Sequence, residues 1–145
     1  MLDLKMLGYT VERLETNLSP VVKELEGEYQ NSMKFNCYSH PASNDVYGSI
    51  RIELTMDVCL KDKIESNQDR EPFVTLNGVF HVAFEASEKV TEEEFDRGLK
   101  STGARIALPV IRGIIVGVTS IMGYPNVFSF PQIDPEVIHW EKDEL

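Results

Sequence analysis

The chain of 145 residues has two cysteines, three histidines and one tryptophan, and each shortage closes off a class of chemistry. Two cysteines cannot build a stapled disulfide framework. A chain this long does not need one, because folding buries roughly 70% of the surface that the unfolded form exposes. Cys37 and Cys59 stand in separate apolar segments with no C-x-x-C neighbour, the pattern of reduced, half-buried thiols. His40, His81 and His139 are scattered, none at i, i+4 spacing or beside a cysteine, so no metal is predicted. Positive charge is scarce as well: 14 Lys and Arg face 24 Asp and Glu, giving a net charge of −10. With no basic cluster to neutralise phosphates, nucleic acid is excluded as a partner.

Catalytic signatures are also missing. There is no Gly-rich phosphate loop, and the Ser and Cys residues have no evident base partner. Glu53 and Asp57 read as solvated strand-face residues, and Glu92-Glu93-Glu94 as a helix start favoured by the dipole. The expectation is a protein that is not an enzyme and needs no cofactor. One pocket gathering His81 with Glu85 or Asp57 would be the arrangement that speaks for catalysis.

Long hydrophobic runs are absent too. Met1 to Gly8 carries Asp3 and Lys5 within a short apolar pattern and does not resemble a secretory signal. The most apolar stretch, Ile106 to Met122, is shorter than the ~20 residues a membrane span requires, and it contains Pro109 and Arg112. The predicted location is the cytoplasm, without membrane insertion. Lys142-Asp143-Glu144-Leu145 spells a retention address of the endoplasmic reticulum, but that address is read only in lumenal proteins, so the run is taken as an acidic tail.

What is present is alternation. Ile50, Ile52, Leu54, Met56, Val58 and Leu60 interleave with Arg51, Glu53, Thr55, Asp57, Cys59 and Lys61, which predicts a strand with one face on a core. Phe73 to Ala86 repeats the pattern, with Val74, Leu76, Phe80, Val82, Phe84 and Ala86 in phase and a second face that is only partly polar. Lys61 to Pro72, containing Asn67-Gln68-Asp69, suits an exposed hairpin loop. Met33, Phe35 and Cys37 mark a further strand before a turn at His40 to Asp45. Strands in such an order favour an antiparallel meander. Before them, Met1 to Leu7 has helix-like leucine spacing, Tyr9 to Leu18 suits a strand, and Ser19-Pro20 either starts a short helix or turns the chain.

Beyond the strands the period changes. Thr91 with Glu94 three residues on is a capping-box pattern, predicting a short helix with Phe95 and Leu99 on one side. Gly103 punctuates the chain, and the main helix is expected to begin at Pro109 and end at Gly123. Val110, Ile111, Ile114, Val118, Ile121 and Met122 form its broad apolar stripe, and Gly113, Gly117 and Ser120 a small-residue stripe. A helix apolar on most sides needs cover on most sides. Gly113 and Gly117 suit either a close contact with the sheet or an oligomer interface shared with Ile114, Val118 and Ile121.

Leu108-Pro109-Val110-Ile111-Arg112-Gly113, followed by a helix and then Gly123-Tyr124-Pro125-Asn126-Val127-Phe128-Ser129-Phe130-Pro131-Gln132-Ile133-Asp134, resembles the SecB family of export chaperones. That family has a Pro-aromatic-Ala-Arg helix start, a Gly-x-x-Pro or Gly-x-Pro corner, and an apolar-x-apolar-x-Pro-apolar-Asn run. A second strand carrying Asn77-Gly78-Val79-Phe80 also looks like the family, and the resemblance covers Met33 to Asp134 of a single domain. Departures mark a divergent branch: Gly113 follows Arg112 where the family has an acid, Pro135 cuts short the second helix, and the segment before Met33 has no clear counterpart.

The resemblance implies an α+β fold, a four-stranded antiparallel sheet packed against a long C-terminal helix. It also implies a homodimer or homotetramer whose apolar grooves hold unfolded or partly folded polypeptides without ATP, with protein export and the translocase motor as further expectations. On this reading Phe73, Val79, Tyr124, Val127, Phe128, Phe130 and Trp140 contact client chains, although for each aromatic taken singly an ordinary core place is the favoured reading and only a contiguous exposed patch reverses it. The alternative is a binding module of the same fold for one specific protein or a small apolar ligand.

Overall fold

A computed structural model describes residues 2–18, 29–41, 46–60, 74–121 and 138–141. Four strands, β1 (Leu4–Leu18), β2 (Tyr29–Pro41), β3 (Tyr47–Leu60) and β4 (Val74–Ala86), form one antiparallel sheet in the order β1-β4-β3-β2. β2, β3 and β4 make the expected meander, and β1 returns beside β4. The helix-like leucine spacing of the first residues is therefore misleading, because Leu4 already opens a strand opposite Ala86. Register shifts between Met6 and Gly8 and between Val11 and Arg13 interrupt the alternation of β1, which is why its period of two is hard to see in the sequence.

The other strands follow their pattern. Ile50, Ile52, Leu54 and Met56 of β3 and Leu76, Phe80, Val82, Phe84 and Ala86 of β4 are buried, while Arg51, Glu53, Thr55 and Asp57 point to the opposite face. β2 adds Cys37 to the buried side, flanked by half-buried Met33 and Phe35. The expected loop from Lys61 to Pro72 lies outside the described residues, as do residues 42–45 of the predicted turn.

The helical part departs from expectation in one important way. Thr91 caps α1 (Glu92–Gly98), its side-chain oxygen accepting from the Glu94 amide at 3.2 Å. The chain then passes through one π-helical turn, Leu99–Gly103, directly into α2 (Ala104–Ile121). Neither Gly103 nor Pro109 ends a helix, so the main helix does not begin at Pro109. Gly103 is kept for proximity: a Cβ there would lie 3.0 Å from Ile50 Cδ1, so glycine lets the helix backbone settle onto β3. Glycine costs about 1 kcal/mol relative to alanine in a helix, and the close approach offsets it. Pro109 is on the solvent side, one turn after exposed Arg105, where the carbonyl that loses its amide partner can take water. In the π turn, Ser101 Oγ donates to the Arg97 carbonyl at 2.9 Å.

The stripe that α2 lays on the sheet is Ala104, Ala107, Leu108, Ile111 and Ile115. Of the stripe expected from sequence, Ile111 is in this core, whereas Val110, Ile114 and Val118 are only half-buried on its flank. The side chains of Ile121 and Met122 lie outside the described residues. Ile115, in the middle of an unbroken apolar run, is fully buried and was not distinguishable from its neighbours by pattern alone.

Candidate functional site

Three surfaces of the chain are chemically distinct. The first is the sheet face away from the helix. β-register sets Arg51 of β3 opposite His81 of β4, and an extra residue in β1 brings Glu12 to both. His81 Nε2 and Glu12 Oε2 are 2.8 Å apart, Arg51 Nε lies 3.8 Å from the same carboxylate, and Arg51 Nη1 reaches Glu53 Oε1 at 2.8 Å. The guanidinium also lies over the Tyr38 ring, 5.7 Å from its centroid. The hydrogen bond from His81, helped by the charges of His81 and Arg51, holds the Glu12 carboxyl below its ordinary value of 4.5. His81 therefore pairs with Glu12 on an open face, rather than sharing a pocket with Glu85 or Asp57. Val79 is half-buried here, with Arg13 on one neighbouring strand and Glu53 on the other. Among the described residues no group of three His, Cys, Asp or Glu side chains could hold a metal ion.

The second surface is apolar and open. Tyr9 and Val11 of β1 stand opposite Val82 and Phe80, on the side of the sheet that carries the helix, yet they are 53% and 38% exposed. Leu7, at the first register shift, is 49% exposed, and Val116 on α2 is 45% exposed. Leu7, Tyr9 and Val11 alternate in sequence, and that was the available signal for a strand with an apolar face. On α2, Gly113 and Gly117 are exposed, and among the described residues a Cβ at either would meet no atom of another element within 4 Å. The two glycines therefore do not serve the contact with the sheet. Ile114 and Val118 flank them, half-buried.

The third surface is the edge of β2 away from β3. Residues 138–141 lie along it, Trp140 forming a parallel bridge with Cys37 and the Glu141 amide donating to the Cys37 carbonyl at 2.9 Å. Trp140 and Ile138 pack half-buried against the core. Cys37 is fully buried, and the loss of solvent pushes its thiol up to about 12. Val79 and Trp140 are thus in different surroundings, the outer face and the core margin. Phe73, Tyr124, Val127, Phe128 and Phe130 lie outside the described residues.

No family model and no curated protein matches the sequence. Among solved structures, the chain is similar to the SecB-like chaperone Rv1957 of Mycobacterium tuberculosis, solved in complex with a ChAD peptide from the Rv1956 HigA1 antitoxin. The TM-score is 0.67 over 90% of this chain and 91% of that one, at 14% sequence identity. The chain has a SecB-like fold. At this identity the likeness is one of architecture, a four-stranded antiparallel sheet with a C-terminal helix, and the α+β expectation from sequence holds. In this SecB-like fold the sheet covers one stripe of α2 and leaves Gly113 and Gly117 exposed.

Proposed function

We propose that this protein binds non-native polypeptide segments without ATP, as a SecB-like chaperone of the cytoplasm. The observation that carries the reading is the SecB-like fold shared with a chaperone whose structure holds a bound peptide. Open apolar residues on β1 and α2 support it, because burial of apolar area is favourable at about 25 cal/mol per Å² and has no directional demand, so one surface accepts many sequences. The net charge of −10 keeps such a surface soluble and attracts basic client segments.

In this reading the exposed side of α2, with Gly113, Ile114, Gly117 and Val118, meets a second copy in a homodimer or homotetramer, and Ile121 continues the line. The helix Glu92–Val118 is long and apolar enough by length and composition to cross a membrane, so the argument from the short run Ile106 to Met122 does not hold. Its packing on its own sheet through Ile111 and Ile115 favours a core helix over an inserted one. The exposed setting of the His81–Glu12 pair favours binding over catalysis. Protein export and transfer to a translocase motor extend the same reading.

A second reading, a module dedicated to one polypeptide partner, is favoured by the peptide of the structural neighbour, which comes from a single antitoxin. Breadth of binding separates the two. The chaperone reading expects the purified protein to slow aggregation of several unrelated unfolded proteins at stoichiometric amounts. Failure on all of them together with tight binding of one partner would establish the dedicated module instead.

A further inference from the structure

We infer that Glu12, held by His81 and Arg51 on the outer face of the sheet, decides which way β1 turns its apolar residues, and so positions Tyr9 and Val11 to take the apolar side chains of a bound polypeptide. The inference rests on the polypeptide-binding reading and names residues that act on it from the opposite face. A strand with a strict period of two that places Leu4 and Met6 on the core side would place Gly8, Thr10 and Glu12 there too, and Tyr9 and Val11 on the outer face. The two register shifts prevent this. Each adds one residue to β1, so the core side is taken by Leu4 and Met6, then by Tyr9 and Val11 opposite Val82 and Phe80, and then by Leu14 opposite Gly78.

The second shift is the one that side-chain chemistry fixes. Glu12 is its surplus residue, without a register partner between Val11 and Arg13. Its carboxylate lies 2.8 Å from His81 Nε2 and 3.8 Å from Arg51 Nε. β1 has a second way to pair with β4. If Arg13 to Leu18 keep their partners and the shift at Glu12 closes, Glu12 falls opposite Phe80, Val11 opposite His81 and Tyr9 opposite Ala83, with Leu7 and Gly8 both surplus at the first shift. A slip of one residue reverses the side of every side chain, so Tyr9 and Val11 would leave the helix side. They resist it little, because neither is buried in its present place. Charged Glu12 opposes it, since the carboxylate would exchange His81 and Arg51 for the buried ring of Phe80.

Nuclear Overhauser contacts between β1 and β4 read the register directly. The experiment compares the full chain with Glu12→Leu, whose new side chain prefers the place opposite Phe80, and with Glu12→Gln, which keeps the length and gives up the charge. The expected result is that backbone contacts of residue 11 pass from Phe80 to His81, wholly in Glu12→Leu and in part in Glu12→Gln. Affinity for a reduced, alkylated ribonuclease should fall with them, about tenfold when about one-tenth of the molecules keep the original register. Glu12→Gln carries the test if Glu12→Leu fails to fold. Contacts of residue 11 that stay with Phe80 alone in every folded variant overturn the inference and leave polypeptide binding standing. A moved register with undiminished affinity takes Tyr9 and Val11 out of the binding surface and overturns it as well. A wild type that binds no ribonuclease overturns the binding reading and the positioning role with it, whichever register the variants adopt.

Discussion

The ring of Phe95 occupies the space above Gly48: a Cβ on residue 48 would lie 2.7 Å from Phe95 Cε1 and 2.9 Å from Cζ. Phe95 is fully buried in α1, and Gly48 opens β3 between Pro41 of β2 and Phe84 of β4. The contact fixes the N-terminal end of the helix over one end of the sheet. From there the π turn and Gly103 carry the helix across to its buried stripe on Ile111 and Ile115.

Gly48→Val should destabilise the fold by about 1–3 kcal/mol through overpacking, since the ring and the His40 carbonyl, 3.1 Å from the added Cβ, both resist it. Phe95→Ala should cost about 3–5 kcal/mol. With the ring gone, Gly48→Ala should cost less than it does alone. Urea denaturation of Gly48→Ala, Phe95→Ala and the double variant that combines them measures the coupling.

Gly117→Leu should leave the chain folded, because among the described residues nothing of another element lies within 4 Å of the new Cβ, and leucine is the better helix former by up to about 1 kcal/mol. The same bulky side chain would separate copies that meet on this face. Light scattering should give a smaller particle with an unchanged circular dichroism spectrum. An unchanged mass would remove Gly117 from any interface.

The Glu12 carboxyl should titrate below 4.5 and return toward that value in His81→Ala, as read by NMR of the carboxyl carbon. A depressed folded-state pKa stabilises the fold above the unfolded value, and the contribution disappears as pH falls through the folded one. The stability difference between wild type and Glu12→Gln should therefore be present at neutral pH and shrink on acidification below 4.5.

Cys37 works in the opposite pH range. Its thiol, raised from 9.0 to about 12 by burial, favours the folded state below pH 9.0, and that contribution is lost as pH climbs toward 12. In a Cys59→Ser background, a thiol reagent at pH 8 should label Cys37 slowly in the native protein and rapidly in urea. Fast native labelling would contradict the burial of this strand.

The sheet was legible where each strand has one buried face. Ile50 to Met56 and Leu76 to Ala86 needed no more than their alternation, and the SecB-like architecture was legible from motif order. The helix was harder, because Gly103 and Pro109 are breakers in isolation and only the contact with Ile50 and the exposure of residue 109 make them tolerable. Of β1, Tyr9 to Leu18 was legible as a strand, whereas the start from Leu4 was hidden by helix-like leucine spacing and the register shift between Met6 and Gly8. Of the candidate site, the openness around Gly113 and Gly117 settles a choice that spacing left open, namely that they do not touch the sheet. The seat of Trp140 beside Cys37 could not be read at all, since a bridge between residues so distant in sequence leaves no local pattern.

The central claim is tested most directly by the particle mass, measured by light scattering, with and without an unfolded polypeptide. A SecB-like chaperone should be a dimer or tetramer alone and gain the mass of the bound chain when one is supplied. A monomer whose mass does not change on addition of unfolded polypeptide would contradict both the assembly and the function.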